Sequence, residues 1–201
     1  MSAHRQVDDL LQQHGQTFAA QAGIRLADKP APLFQLMVLV TLLSKPIGAD
    51  LAVAGTRELF RAGYRTPQRM RSATWQHRVD ALTRGHYRRF DESTATMLEK
   101  SANWLLDTYR GDLRRLADAA ERQPSRVHEC LQGIPGIGDV GASIFLREAQ
   151  RVWPWLQPYV DDRMREAAAS LGLPRSEKRL SELAGTDDLS TLGAALIRAT
   201  S

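Results

Sequence analysis

The chain has 201 residues, 43% of them hydrophobic and 25% charged, a globular balance that excludes a disordered, collagenous or disulfide-scaffold protein and suffices for one large domain or two packed lobes. A single cysteine, Cys130, excludes an intrachain disulfide, a Cys-based zinc site and a four-thiolate iron–sulfur cluster. The net charge of +4 hides an asymmetry, because nine arginines (Arg57, Arg61, Arg65, Arg69, Arg71, Arg78, Arg84, Arg88, Arg89) stand against only Glu58 and Asp80 in one stretch. Such a concentration suits phosphate contacts, and equally the solvated helix faces of an arginine-rich protein. The longest apolar run, Leu36–Leu43 with Thr41 inside it, is too short to cross a bilayer, and the first residues carry no signal-peptide pattern. A cytoplasmic protein without a membrane segment is expected.

Nearly every segment spaces its apolar residues as a helix does, and no alternating strand pattern with hairpin turns occurs. Val7, Leu10, Leu11, His14 and Phe18 predict a first helix stopped by Gly23. Pro30 and Pro32 introduce Phe34–Leu43, which lacks a polar face and is therefore expected at the centre of the fold, with Pro46 ending it. Residues 49–62 follow, and Thr66-Pro67 reads as an N-cap with proline at the first helical position. Trp75, Val79 and Leu82 share a face of a short helix stopped near Gly85. Asp91 is read as the cap of a longer helix with Thr94, Met97, Leu98, Ser101, Trp104 and Leu105 on one face, ended by Gly111. Further helices are expected over 112–122, 124–131, 140–151, 161–171, 176–183 and 189–198, with Trp153, Pro154, Trp155 and Pro158 interrupting them. About ten helices with short loops predict an all-α fold.

Residues 131–142 read Leu-Gln-Gly-Ile-Pro-Gly-Ile-Gly-Asp-Val-Gly-Ala. Gly136 and Gly138 permit positive φ or close backbone approach, Pro135 stiffens the turn, and Ile134 and Ile137 are apolar plugs between two helices. The main-chain N–H groups of such a turn and of the helix that follows it form an anion site suited to a DNA phosphate. Gly136, Ile137, Gly138, Val140 and Gly141 are therefore candidate DNA-binding residues, with Lys45, Arg65 and Arg69 adding charge. The alternative is an ordinary tight helix–helix turn.

This stretch resembles the helix-hairpin-helix of the endonuclease III superfamily of DNA glycosylases. Residues 153–161, Trp-Pro-Trp-Leu-Gln-Pro-Tyr-Val-Asp, resemble the loop and aspartate that follow that hairpin. Upstream, Leu42-Leu43-Ser44-Lys45-Pro46 and Gly85-His86-Tyr87 are similar to two further family elements, so the resemblance runs in order from residue 32 to residue 171. It implies two helical lobes with a cleft between them. Residues 32–151 would form a helical barrel carrying the hairpin at 124–151, and residues 1–31 with 152–201 the second lobe. A nucleotide extruded from double-stranded DNA would enter the cleft.

The resemblance further implies that Asp161 is the catalytic carboxylate, stabilising an oxocarbenium-like sugar or activating water; the plainer reading makes Asp161 only the N-cap of the next helix. Tyr87, Trp155 and Tyr159 are expected to approach the extruded base, and the hairpin offers a place for a monovalent cation. Three departures matter. Val140 stands where members that also cleave the DNA backbone carry a Schiff-base lysine, the cysteines of an iron–sulfur cluster are absent, and Asp162 and Arg163 follow the aspartate. The expectation is a monomeric, monofunctional glycosylase without a cofactor, excising a damaged or mispaired base. The alternatives are a noncatalytic module recognising structured or abasic DNA, and a lyase using Lys45 or Lys100. His4, His14, His77, His86 and His128 lack the spacing of a zinc helix and are read as surface or structural residues, and Cys130 as a small core residue.

Overall fold

The structure, a computed structural model, describes residues 2–185 and 189–200. Its helices are α1 (Ala3–His14), α2 (Phe18–Gln21), α3 (Pro30–Leu43), α4 (Ala49–Arg61), α5 (Pro67–Ser72), α6 (Trp75–Arg84), α7 (Asp91–Tyr109), α8 (Leu113–Ala119), α9 (Pro124–Gln132), α10 (Asp139–Ala149), α11 (Asp162–Ser170), α12 (Glu177–Ala184) and α13 (Leu189–Ala199), with a 3₁₀ turn at Pro154–Leu156. No strand occurs among the described residues, and none of their helices is long and apolar enough to cross a membrane.

Side-chain caps set most of the boundaries. Ser2, Thr17, Thr66, Thr74, Asp112, Asp161 and Ser176 each accept a hydrogen bond from a backbone N–H of the following first turn. Among the boundaries that differ from the sequence reading, two concern caps. The first helix stops at Gly15, and Phe18 begins a separate turn capped by Thr17. Asp91 is the first residue of α7 rather than its cap; Phe90 holds that position, and an Asp91 oxygen accepts from Thr83 Oγ1 at 3.0 Å instead.

The wholly apolar α3 lies at the centre, buried from Leu33 to Leu42 apart from Gln35, as its missing polar face predicts. It packs against α4, α7, α8 and α10. Gly141 brings α10 close to the C-terminal end of α3: a Cβ there would lie 2.8 Å from Ser44 Oγ. The buried residues fall into two clusters. One runs from Phe18 to Leu156 with Ala194; the other joins Val7 of α1 to Val160 and to α11, α12 and α13. Phe18, Ala19, Ala22 and Ile24 belong to the larger cluster with residues of α3–α10. Trp153 and Leu156 also belong to the larger cluster, so the chain enters the smaller one only near Val160.

Candidate functional site

Helices α9 and α10 and their turn form the hairpin. Ile134 and Ile137 are buried as the plugs, their N–H groups donating to Leu131 O and Ile134 O at 3.0 Å each. Gly136 takes φ +87°, and a Cβ on it would lie 3.2 Å from Met97 Cβ, so both backbone and space require glycine. Gly138 has φ −101°, which any residue adopts; its own requirement is different, since nothing stands within 4 Å of where its Cβ would project. The backbone there is open to close approach. Gly138 is also the N-cap of α10 and supplies no side chain, and the N–H groups of Asp139, Val140 and Gly141 have no acceptor among the described residues. Gly141 itself is buried against α3, so its contribution is packing together with that N–H, while Val140 is 61% exposed.

The same end of α10 walls a cavity of about 370 Å³. Asp139, Val140, Ser143, Ile144 and Arg147 line it from α10, Asp161, Asp162 and Arg163 from the start of α11, and Phe18, Leu43, Ala49 and Ile197 complete it. Asp161 is the N-cap of α11 and a wall of the cavity at once. One of its oxygens accepts from Met164 N–H at 2.8 Å and the other from Arg147 Nη1. Both side chains of this ion pair are more than nine-tenths buried, and Arg147 Nε has no protein partner. A carboxyl group so held has both oxygens fixed in orientation.

The loop leading to Asp161 is clamped by Gln150. Its amide nitrogen donates to the carbonyls of Arg147 and Tyr159 at 3.0 Å each, and its amide oxygen accepts from Tyr159 N–H at 3.1 Å. Phe18 reaches the cavity because buried Glu148 accepts from the N–H groups of Phe18 (3.3 Å) and Ala19 (2.9 Å). Burial pushes the Glu148 carboxyl above its usual range, against the pull of these N–H groups and of Arg147 and Arg198. Arg147, Glu148 and Gln150 escaped the sequence reading; their signal was a run of charged and polar residues directly after the apolar Ile144-Phe145-Leu146.

Several expected positions lie elsewhere. Tyr87 is fully buried, its hydroxyl donating to Leu42 O at 3.4 Å and its ring against Gly55, so it fills core and does not reach the cavity. Trp155 stacks on Trp153 with ring centroids 5.1 Å apart and lines a separate groove of about 530 Å³ with Asp28, Arg114 and Arg115. Tyr159 stands behind the cavity wall, where burial raises its pKa and a hydrogen bond with Ser143 works against that rise. Lys45 immediately follows Ser44 at the hairpin end of α3. Arg65 and Arg69 are exposed at the opposite end, where Arg65 O accepts from Gln35 at 3.4 Å and the Arg65 guanidinium lies over Phe60. Arg78 is fully buried, donating to Ala95 O, Met70 O and Ala73 O and paired with Glu99, so the nine arginines do not form one surface. Lys100 is exposed on α7, away from the cavity, and Cys130 is half-buried beside the larger core.

Comparison with known proteins bears on the fold. No family model matches the chain, and no curated protein does. Among solved structures, a trapped endonuclease III–DNA covalent intermediate in an estranged-adenine complex matches with TM-score 0.53 and 18% identity, covering 98% of this chain and 85% of that one. A non-covalent endonuclease III–DNA complex matches with TM-score 0.54 and 19% identity over the same shares. The chain has the endonuclease III fold. At that identity the likeness is one of architecture, and in this endonuclease III fold the start of α10 and Asp161 line a single cavity.

Proposed function

We propose that this protein is a DNA glycosylase that hydrolyses the N-glycosidic bond of a base extruded from double-stranded DNA. The observation that carries the reading is that Asp161 and the uncapped N-terminus of α10 share one cavity. The free N–H groups of Asp139, Val140 and Gly141, with the open backbone at Gly138, suit a backbone phosphate. A nucleotide next to that phosphate then has its sugar within reach of Asp161. That both solved neighbours are DNA complexes supports the same reading.

Breaking the glycosidic bond leaves positive charge on the sugar. Asp161, with one oxygen bonded to Arg147 and the other to Met164 N–H, is a well-oriented counter-charge, so it acts electrostatically, and water adds to the cation. No lysine lines the cavity among the described residues, and Val140 at its mouth offers no amine, which supports hydrolysis over imine chemistry. The experiment is base release from duplexes carrying alkylated, deaminated, oxidised or mismatched bases. Asp161→Asn keeps a capping side chain and is expected to retain duplex binding while single-turnover release falls by roughly 10²–10³. Duplex binding by the unaltered protein with no base released from any duplex overturns the reading in favour of a noncatalytic DNA-binding module.

A further inference from the structure

A base that departs with the bonding electron pair needs a proton, and most groups around the Asp161 cavity are poor donors. Asp161 is engaged by Arg147 and a backbone N–H, Asp139 and Asp162 are solvent-exposed carboxylates, and Arg147 and Arg163 are guanidinium groups that do not give up protons. The one hydroxyl among the lining residues is Ser143.

Ser143 has two neighbours behind the wall. One is His128 on α9, whose Nε2 lies 3.1 Å from Ser143 Oγ; the other is the Tyr159 hydroxyl on the loop before Asp161, whose pKa Ser143 lowers. A hydroxyl has two lone pairs and one proton. When His128 Nε2–H fills a lone pair, the proton of Ser143 is free to turn from Tyr159 to the cavity. Gln132 Nε2 lies 3.0 Å from the other ring nitrogen of His128, which favours the tautomer with hydrogen on Nε2, and Asp139 Oδ1 lies 3.6 Å from Nε2. The His128 side chain is 19% exposed, so water reaches the ring on one side while Ser143 faces the cavity on the other.

We propose that His128 and Ser143 form a proton relay from solvent to the departing base, an inference that rests on the glycosylase reading. As the bond from C1′ to the base nitrogen breaks, its electron pair stays with the base. The base takes the Ser143 proton, and Ser143 Oγ takes the proton from His128 Nε2. Water adds to C1′ and releases its proton to solvent, from which His128 is recharged. The groups facing His128 are Gln132 on its own helix and Asp139 and Ser143 on α10; Tyr159 touches it through Ser143, and Arg147 and Asp161 lie one helical turn deeper.

The test compares leaving groups. Uracil and hypoxanthine leave as anions unless a proton neutralises them, so a proton donor speeds their departure, whereas 7-methylguanine carries a positive charge in the duplex and departs neutral without one. Single-turnover release is measured from duplexes bearing each, for the unaltered protein, His128→Gln and Ser143→Ala, with duplex binding as the check on folding. Both variants are expected to slow release of the neutral bases by at least about tenfold, within the range of general acid catalysis, and to leave 7-methylguanine release within about twofold. In the unaltered protein the neutral-base rate falls as pH rises, and His128→Gln removes that dependence; where 7-methylguanine is not a substrate, this pH profile alone decides for or against the relay. Equal slowing of all bases, no slowing, a pH dependence that survives His128→Gln, or release of 7-methylguanine alone by the unaltered protein overturns the relay and leaves the glycosylase standing. Release of no base at all overturns the glycosylase reading and the relay with it.

Discussion

Arg147 Nη1 donates to an Asp161 carboxylate oxygen, tying the last turn of α10 to the cap of α11 inside the cavity. The pair is the covalently unlinked joint between the hairpin and the helix that follows it, and both partners are removed from water. A buried pair is costly to break from one side, because the remaining charge has neither water nor partner.

Arg147→Met is therefore expected to lower unfolding free energy by about 3–5 kcal/mol. Adding Asp161→Asn removes the stranded charge while Asn still caps α11, so the double variant is expected to be more stable than Arg147→Met alone. Urea unfolding of the unaltered protein, both single variants and the double variant checks this; a double variant that loses the sum of the two single losses contradicts the pairing.

Glu148 gives a pH prediction. Its folded pKa is raised, with burial the largest cause and the Ala19 N–H, Arg147 and Phe18 N–H opposing it. The folded state therefore holds this proton at pH values where the unfolded chain has released it. Stability from this group is fully present below the unfolded carboxylate range and declines as pH rises through the elevated folded value. Glu148→Gln stays neutral throughout, so the stability difference between the unaltered protein and the variant is expected to move in favour of Gln as pH rises, read from urea midpoints across that window. A difference independent of pH contradicts the assignment.

Two glycines of the hairpin separate folding from binding. Gly136→Ala meets a positive φ and Met97 Cβ together, and is expected to cost about 1–2 kcal/mol of stability. Gly138→Ala has ordinary φ and open space, and its cost is confined to a poorer N-cap, under about 1 kcal/mol. Its methyl group projects where a phosphate is expected, so duplex affinity should fall more for Gly138→Ala than its stability does. Thermal melts and fluorescence-anisotropy titrations on both variants check the contrast.

The hairpin was legible in the sequence because its requirements are local: Ile134 and Ile137 alternate with glycines within one turn, and the apolar surround of α3 is written in consecutive residues. Asp161 was legible for the same reason, standing between a Pro-containing loop and an amphipathic helix. What failed were positions whose partners lie far along the chain. Tyr87, expected by resemblance to approach the extruded base, is covered by Gly55 and Leu42. Arg78 looks like its eight neighbours in composition, yet its acceptors, Ala95 O among them, come from another helix. His128 is one of five scattered histidines until α10 sets Ser143 against it.

The basic residues are predicted to act unequally on DNA. Lys45 follows the hairpin end of α3, whereas Arg65 lies beside Gln35, nine residues back along the same helix from Ser44 and so about 13 Å away at 1.5 Å per residue, and Arg69 follows it on α5. Lys45→Ala is expected to reduce the slope of log affinity against log salt by about one. Arg65→Ala with Arg69→Ala should leave it unchanged, since Arg65 already donates to Phe60 O at 3.1 Å and lies over its ring. A larger change from the arginine pair would place the duplex along the whole of α3.

Val140 offers a gain-of-function test of the hydrolytic mechanism. Its side chain is 61% exposed and lines the cavity mouth, so a lysine there can extend without disturbing the core, at a stability change within about 0.5 kcal/mol. Its amine can attack the C1′ aldehyde of an abasic sugar and lose water to form an imine, which borohydride reduces to a stable protein–DNA adduct. Val140→Lys is expected to yield this adduct with an abasic duplex, and the unaltered protein to yield little. If the unaltered protein traps as efficiently as the variant, an existing amine is already the nucleophile. Lys45, next to the Ser44 that faces Gly141, would then be the first to replace, and the hydrolytic reading would give way to a lyase.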